Sequence, residues 1–395
     1  MKWEKKKLCE CTEYITDGDH QPAPKADKGV HFIKIKDIVN NQVSFDAQVY
    51  VPQEYYDNLP MERKPQKEDV LYTVVGSFGI PSYVQTDELF CFERNIALLH
   101  PNKDIEPRFL YYSLKNPAFY KGVEIVANGS AQKLIPLSKL KDLKISVPDK
   151  EAQRHIADIL SAYDDLIENN QRQIKLLEEA TQRLYKEWFV DLNFPGHENT
   201  KIVDGVPEGW SKSTVGNICK LRKVVITPDK IESNTPYIGL EHMPRNDICL
   251  STWGKSEEIN SNKFIYLKKD VLFGKIRPYF HKVGFALNDG ITSTDTMVMV
   301  ADQNLWGLLL VTVSSDAFVD FSYQNCKEGA KMPRADWKQM EKYAIMIADQ
   351  ATQKLFEQEI LVITNKISAL AFQCRSLREA RDRMLPKLMG GEVEA

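Results

Sequence analysis

Long apolar runs, paired cysteines and net charge are all scarce in this 395-residue sequence. No apolar run approaches the ~20 residues of a membrane-spanning helix. The opening MKWEKKKLCECTEY lacks the apolar core of a signal peptide, so we expect a cytoplasmic protein. The seven cysteines form no CxxC pair and give no indication of a disulfide framework or a zinc site. Because the net charge is −3, any basic surface must be local.

Motifs of enzymes that act on DNA or on nucleotides are also missing. A DNA methyltransferase carries Asn or Asp followed by two prolines and an aromatic residue, whereas NFPG at 193–196 has one proline. A phosphate-binding loop needs a glycine five positions before its Gly-Lys pair, and neither Gly254 nor Gly274 has one. PDKE at 148–151 resembles a nuclease carboxylate cluster, but it lies at a predicted helix start, where the helix dipole favours acids. We therefore predict a non-catalytic chain that binds neither a cofactor nor a metal.

The sequence does contain an internal repeat with an offset of 200 residues. Four residues near position 180 return near position 380: Leu177, Glu179, Ala180 and Arg183 match Leu377, Glu379, Ala380 and Arg383. Three further pairs keep this offset: Gly129 and Gly329, Gln153 and Gln353, Ile167 and Ile367. EDVLYTVVG and KDVLFGKIR match at an offset of 201. Because this period exceeds that of solenoid repeats, each copy should be a domain with an appendage.

Each copy divides into a globular part and a helical part. Short β-like runs broken by turns, such as DVLYTVV and LKISVP and later DVLFGKI and TMVMV, indicate mixed α/β domains. We place the first domain at 1–150 and its helical region at 151–190. The second domain then occupies 191–348 and its helical region 349–395.

An apolar stripe with alternating spacings of four and three runs along both helical regions, as in a coiled-coil seam. The first stripe comprises Ile156, Leu160, Tyr163, Ile167, Asn170, Ile174, Leu177, Thr181, Leu184 and Trp188. The second comprises Phe356, Ile360, Ile363, Ile367, Leu370, Cys374, Leu377, Arg381, Met384 and Leu388. The inner face of a bundle helix shows a similar stripe, but residues 151–188 would extend ~57 Å, longer than a compact domain usually contains.

Together the stripes predict an α+β chain: two similar globular α/β domains separated by a long antiparallel two-helix coiled coil, with an internal pseudo-two-fold repeat. Asn170 within the stripe would fix its register. Two similar heads held apart by a rod suit two half-sites on duplex DNA, with the spacing set by the protein. The alternative is a coiled-coil scaffold or dimerisation protein that does not bind DNA.

Two equivalent turns supply candidate DNA contacts. In FGKIRPYFHKVGF at 273–285, cations alternate with aromatic residues and could reach phosphates or guanine edges, although a solvated hairpin explains the pattern equally well. The candidates there are Lys275, Arg277, Tyr279, His281 and Lys282. In VVGSFGIPSYV of the first copy, Gly76, Ser77 and Gly79 would let the backbone approach a groove closely, or form a plain tight turn.

Several segments then point to one family when taken in order. They are TDGDHQPAP, YKEWFVDLNFPG, VPEGWSKSTVGNI, DRMLPKLMGGEV and the pair NGSAQKLIPLSKLKDLKISVPDKEAQRHIADIL and KEGAKMPRADWKQMEKYAIMIADQATQKLF. This set resembles the specificity subunits of type I restriction-modification systems. The resemblance covers essentially the whole chain, in the order target-recognition domain, conserved helix, target-recognition domain, conserved helix.

The resemblance implies a DNA-reading subunit. Such a subunit recognises a bipartite sequence in double-stranded DNA and binds two modification (methyltransferase) subunits that carry S-adenosylmethionine. Whether restriction (endonuclease) subunits join them stays open. Asp17, Gly18 and Asp19 by themselves are ordinary turn formers. The resemblance places Thr16, Asp17, Gly18 and His20 in a recognition loop.

Overall fold

A computed structural model of the protein describes residues 3–39, 41–127, 133–326 and 332–392. Gly129 and Gly329, a matched pair of the sequence repeat, lie outside these ranges. The chain divides into two compact units, the first comprising Met1–Leu166 with Leu377–Ala395 and the second Ile167–Ser376. Each unit therefore contains one globular domain and a segment of both long helices.

The first unit is a mixed α/β domain. Its strands are β1 (Glu4–Lys7), β2 (Thr12–Asp17), β3 (Val30–Ile33), β4 (Ile38–Val39), β5 (Gln42–Val43), β6 (Tyr50–Val51), β7 (Val70–Thr73), β8 (Pro81–Tyr83), β9 (Phe90–Phe92), β10 (Ile96–Pro101) and β11 (Lys144–Val147). Its helices are α1 (Leu8–Cys11), α2 (Gln53–Asp57), α3 (Pro107–Lys115), α4 (Pro117–Val126), α5 (Leu137–Asp142) and the first part of α6 (Lys150–Tyr185).

A four-stranded antiparallel sheet in the order β2-β10-β7-β8 lies at the centre of this unit, and β6-β3-β9 form a second sheet in which β3 and β9 are parallel. All four residues of β7 are buried. Because successive strand side chains point to opposite faces, Val70 and Tyr72 share a core with Phe109 of α3, whereas Leu71 packs with Phe90 on the other face. The sheet is covered on both faces, which explains the unbroken apolar run in the sequence.

The second unit contains the remaining elements. Its strands are β12 (Ile202–Val203), β13 (Val206–Pro207), β14 (Ser211–Thr214), β15 (Cys219–Leu221), β16 (Val225–Ile226), β17 (Tyr237–Ile238), β18 (Cys249–Leu250), β19 (Lys263–Tyr266), β20 (Val271–Gly274), β21 (Val283–Ala286), β22 (Gly290–Thr292), β23 (Thr296–Ala301) and β24 (Ala344–Ile347). Its helices are α7 (Val215–Ile218), α8 (Trp306–Val313), α9 (Asp316–Gln324), α10 (Trp337–Met340) and most of α11 (Gln350–Gly390).

The second unit repeats the topology of the first. Its central sheet has the order β15-β23-β20-β21-β18, which is the order β2-β10-β7-β8 with one added edge strand. The parallel pair β17 and β22 corresponds to β3 and β9, and the antiparallel pair β14 and β24 corresponds to β1 and β11. The sequence prediction of an α+β fold built from an internal repeat is confirmed.

In the first unit the segments of α6 and α11 run antiparallel. The Tyr163 hydroxyl lies 3.3 Å from the Met384 sulfur, and Asp164, one residue further along α6, pairs with Arg381, three residues earlier in α11. The core that covers the sheet includes Ile156 and Leu160 of α6 and Leu385 and Leu388 of α11. The predicted helix pair is therefore packed against the domain as well as along its own seam.

The helix segments of the second unit are antiparallel as well. Cys374 Sγ lies 3.7 Å from the Ile167 carbonyl oxygen, and the Trp188 and Phe356 rings lie 5.5 Å apart at the other end. Trp188 belongs to a π-helical turn, Lys186–Val190, that follows the end of α6. The apolar spacing predicted a helical region that continues to residue 190. The structure agrees with this, except that the last turn of the region is π-helical.

All predicted stripe residues are buried or half-buried. Asn170 is 4% exposed, and its Nδ2 has no hydrogen-bond partner among the described residues. Its role in fixing the register stays a prediction.

Arg381, the cation within the second stripe, is explained by a polar network in the first unit. Asp164 of α6 accepts a hydrogen bond from the Tyr112 hydroxyl of α3 at 2.8 Å and pairs with the Arg381 guanidinium of α11. The Lys115 ammonium group lies 3.6 Å from the same carboxylate. Burial lowers the pKa of Lys115 to about 8, although the Asp164 charge opposes that shift. One carboxylate thus joins the globular domain to both long helices.

Replacing Asp164 with Ala leaves Lys115 and Arg381 without this counter-charge. We expect the free energy of unfolding to fall by about 2–4 kcal/mol, near the cost of breaking a buried ion pair. Asp165→Ala is the matched control, because that carboxylate is 55% exposed in its pair with Arg108 and should cost less than about 1 kcal/mol. Urea denaturation measures both variants, and equal losses would contradict the role assigned to Asp164.

Two helix carboxylates contact backbone groups in the second unit. Glu178 of α6 is 7% exposed and accepts hydrogen bonds from the Ile248 and Cys249 N–H groups at 3.0 and 2.9 Å. Glu357 of α11 accepts from Gly307 N–H at 2.6 Å, at the N-terminus of α8, where unpaired N–H groups favour an anion. Burial, and secondarily the Asp247 charge, raise the pKa of Glu178 to about 8.

This raised pKa predicts that the stability of the second unit depends on pH. The unfolded chain releases the Glu178 proton near the ordinary value of 4.5 and the folded chain only near 8, so the stabilisation present below pH 4.5 is lost as the pH rises through 8. The loss is at most roughly 1.4 kcal/mol per pH unit in this window. Comparing thermal unfolding of the protein and of Glu178→Gln from pH 4.5 to 8.5 tests this. As the pH rises, the stability of the protein relative to the Gln variant should fall. A stability difference that does not change with pH would refute the raised pKa of Glu178.

Candidate functional site

The first predicted loop, residues 16–20, follows β2 in the first unit. The Asp17 carboxylate lies 3.2 Å from His20 Nε2 and 3.9 Å from Arg63 Nη2. Asp19 pairs with Arg63 at 3.3 Å and accepts a hydrogen bond from the Tyr55 hydroxyl at 3.1 Å. The carboxylates of Asp17 and Asp19 therefore hold the loop, and the His20 side chain is exposed.

Gly18 is required by a close backbone approach. A Cβ at this position would lie 2.2 Å from the Phe92 carbonyl oxygen, because the next residue, Asp19, forms a parallel bridge with Glu93. Thr16 belongs to β2 itself, opposite Leu98.

A cleft of about 460 Å³ lies beside this loop. Its lining includes residues 19–25, Lys34 and the turn Glu93–Asn95. Lys25 and Arg94 are exposed, and with Lys34 they form no ion pair with a described carboxylate. These three cations are not among the residues predicted from the sequence, since no spacing in the sequence brings positions 25, 34 and 94 together.

The second predicted loop connects β7 to β8. Gly76 and Gly79 have φ values of 70° and 84°, and a Cβ on Gly79 would lie 2.4 Å from the Tyr120 ring, so both conformation and space favour glycine. The Ser77 carbonyl accepts a hydrogen bond from the Thr73 hydroxyl at 2.7 Å. This geometry is a tight turn whose polar groups are mostly satisfied internally.

The third predicted loop connects β20 to β21 in the second unit, the topological equivalent of the second loop. Three of its five candidates are engaged within the protein. Lys275 Nζ donates to the Thr294 carbonyl at 2.7 Å, and Lys282 Nζ donates to the Leu240 carbonyl. His281 Nε2 lies 2.8 Å from the Ser314 carbonyl oxygen.

The other two candidates, Arg277 and Tyr279, contact aromatic rings. Tyr279 is 46% exposed and its ring lies 5.2 Å from that of Tyr323, which is equally exposed. The Arg277 guanidinium lies 5.7 Å from the centroid of Phe280. Arg245, which the sequence analysis missed, lies 4.0 Å from the same ring. Arg245 is distant in sequence and is brought here by a hydrogen bond from Asn246 N–H to the His281 carbonyl, so no local pattern could have found it.

In both units the loops emerge from one edge of the central sheet. β2 and β7 both run antiparallel to β10, so their carboxyl ends lie at the same edge, and β15 and β20 are related in the same way through β23. The residues after β15 are Arg222, which pairs with Asp270 at 2.8 Å, and the exposed Lys223. The residue that ends β2 is thus the acid Asp17 in the first unit, whereas basic residues follow β15 in the second.

Within the described ranges, the His, Cys, Asp and Glu side chains form no group of three or more that could hold a metal ion. Of the helices described, none combines the length and the hydropathy needed to cross a membrane.

Comparison with known proteins finds specificity subunits of type I restriction-modification systems. The family model of the type I restriction modification DNA specificity domain matches residues 1–179. The type I restriction enzyme MjaIX specificity subunit of Methanocaldococcus jannaschii is 25% identical over 330 residues, which cover 76% of this chain and 71% of the relative. Residues 1–179 thus match a type I specificity domain, and the chain as a whole is similar to type I specificity subunits. The putative MjaX specificity subunit of the same organism is 29% identical over 222 residues, or 54% of this chain and 52% of the relative.

The fold of the chain also has a solved counterpart. The crystal structure of the type I restriction-modification S subunit from M. genitalium matches with a TM-score of 0.61 at 16% identity, covering 98% of this chain and 96% of the other. At that identity the match concerns the fold, which agrees with the repeated topology described above. DNA target recognition follows as the general role of the chain.

The close approach at Gly18 gives a test of the first loop. Gly18→Ala should displace the Asp19–Glu93 bridge, lower the stability of the first unit by roughly 2–3 kcal/mol and weaken DNA binding. The control is Gly122→Ala in α4, where the nearest side-chain atom would be 3.9 Å away and the helix should gain up to about 1 kcal/mol. Thermal unfolding and DNA binding measure both variants. A Gly18→Ala protein as stable as Gly122→Ala would contradict the close approach.

Proposed function

We propose that this chain reads a bipartite DNA target, with one half-site for each globular domain, on behalf of partner methyltransferase subunits. The two units repeat one topology and present loops at the same sheet edge. The side chains of those loops differ between the units, and this difference is the main support for the proposal. A shared scaffold with different loop residues is what two readers of different half-sites require.

The chemistry of the loops supports DNA as the ligand. Exposed cations that form no ion pair with a described carboxylate, Arg94 in the first unit and Arg245 in the second, can neutralise phosphates. Exposed Tyr279 packs against Phe280, the ring that Arg245 also contacts, and against exposed Tyr323. The two tyrosines add aromatic surface that can contact sugars or bases. Loops carried by a sheet covered on both faces are held in fixed positions, as sequence reading requires.

The two long helices are the proposed docking surfaces for two methyltransferase subunits. Outside their buried stripes they expose apolar side chains: Leu166 and Leu176 of α6 are 48% and 59% exposed, and Val362 of α11 is 66% exposed. Apolar side chains that a helix exposes outside its buried stripe are available for contact with another protein. In this proposal S-adenosylmethionine and the catalytic groups belong to the partners, and this chain is non-catalytic.

The second candidate is a coiled-coil scaffold that assembles partners without reading DNA. A gel-shift experiment with the chain and its methyltransferase subunits separates the two, because a scaffold would not confer sequence-specific retardation. Methylation by the purified chain alone in the presence of S-adenosylmethionine would contradict the non-catalytic assignment.

The separate-reader proposal predicts an outcome for a domain exchange. Replacing residues 200–348 with the matching domain of a relative should change one half of the methylated sequence and preserve the other, because the loops of each unit come from one domain. Long-read methylation mapping of cells that express the complex measures this. The parental chain is the control, and a change in both halves would refute separate readers.

A further inference from the structure

Arg245 and Arg277 converge on one aromatic ring in the second unit. Their guanidinium carbons lie 4.0 and 5.7 Å from the centroid of Phe280. A guanidinium stacked on an aromatic face keeps its N–H groups, which lie in its own plane, available for hydrogen bonds. The ring therefore brings two sets of donors into one small region.

Neither guanidinium has a counter-charge among the described residues, since no described carboxylate lies within ion-pair distance of Arg245 or Arg277. The nearby acids have other partners: Glu241 lies 3.6 Å from His242, and Asp295 pairs with Arg334 at 3.1 Å. Bringing two like charges together without an anion costs free energy, which an anionic ligand would recover.

A third cation reinforces the positive potential. Lys282, at the end of the same loop, has its pKa lowered by burial and then by the Arg245 charge. Its ammonium group is held by the Leu240 carbonyl, so it contributes charge at a fixed position instead of a free donor.

The backbone around the two arginines is strained and well anchored. Asn246, Arg277 and His281 all have left-handed φ values, of 63°, 50° and 50°. Non-glycine residues in this conformation cost of order 1 kcal/mol or more each and concentrate at binding sites. Arg277 N–H donates to the Pro333 carbonyl at 2.8 Å, which fixes the loop against the segment before α10. The guanidinium groups are thus positioned before any ligand binds.

We propose that Arg245 and Arg277 form a clamp for one phosphate of the DNA backbone, with Phe280 as its platform. Two positive charges that contact one ring and lack a described counter-charge match an anion better than the neutral edge of a base, and guanidinium donors suit phosphate oxygens. The proposal rests on the proposed function and refines it. The clamp positions the second domain on the duplex without reading sequence, and other loop residues read the bases.

The clamp distinguishes the two domains. At the equivalent place in the first unit, Phe78 stacks on Tyr120 at 5.9 Å and Lys133 Nζ lies 5.7 Å from the Phe78 ring. Within the described residues no arginine pair flanks that ring. We therefore place the arginine clamp in the second half-site alone.

The test uses the complex of this chain with its methyltransferase subunits and a duplex that contains the target found by methylation mapping. Arg245→Gln and Arg277→Gln should each weaken binding about fivefold to tenfold at moderate salt. Each should also reduce the slope of log affinity against log salt concentration by about one. The loss should be equal for target and base-substituted duplexes, and the methylated motif should not change. Lys212→Gln removes one positive charge from exposed β14 of the same unit and serves as the control, with little effect expected.

Duplexes with a single neutral methylphosphonate at successive backbone positions of the second half-site locate the phosphate. One position should weaken binding by the unsubstituted complex but cause no further loss with Arg277→Gln, since the partner charge is already gone. If Arg277→Gln instead relaxes specificity at one base pair, the residue reads a base and the clamp is wrong. Unchanged affinity and salt dependence in both variants would also overturn it. Failure of the unsubstituted complex to bind DNA would refute the proposed function itself.

Discussion

Hydrogen bonds from side chains of the long helices to backbone groups of the globular domain are the constraint on which each unit depends. Gln153 of α6 accepts from Glu106 N–H at 2.9 Å and donates to the Pro148 carbonyl at 3.0 Å in the first unit. Glu178 and Glu357 accept backbone N–H groups in the second. Each bond exists in one register only, since a shift of the helix by one residue rotates the side chain away from its partner. The apolar stripes supply burial, and these polar contacts select the register.

The two units meet this constraint with different chemistry. The repeat aligns Gln153 with Gln353, but Gln353 donates to Glu357 at 3.0 Å, and the glutamate makes the backbone contact. The first unit thus uses a neutral amide where the second uses a buried acid. The two units therefore share one topology, but different polar groups hold their helices in register.

Much of this architecture could be predicted from the sequence because it follows from periodicity. The offset of 200 residues gave the repeat, and the spacings of four and three gave the stripes, including Leu160 and Phe356, which are fully buried. The reason for Arg381 within a stripe could not be predicted, because its partner Asp164 is more than two hundred positions away. Periodicity shows which face of a helix is buried but not which polar group crosses it.

The candidate site was less predictable for the same reason. Alternating cations and aromatics identified the loop at 275–282, yet Lys275, His281 and Lys282 prove to be engaged with backbone carbonyls. Arg245 enters the site through one backbone hydrogen bond that leaves no trace in the sequence. Composition thus located the loop, whereas the identity of its free donors required tertiary structure.

The left-handed residues in this loop have a consequence for how the protein can change. Glycine adopts positive φ without the steric cost that Asn246 and His281 bear, so replacement by glycine can relieve local strain. A search for thermally robust variants would therefore favour these substitutions, and the more mobile backbone would hold the neighbouring arginines less firmly. Substitutions in this loop that raise thermal stability would therefore weaken target recognition.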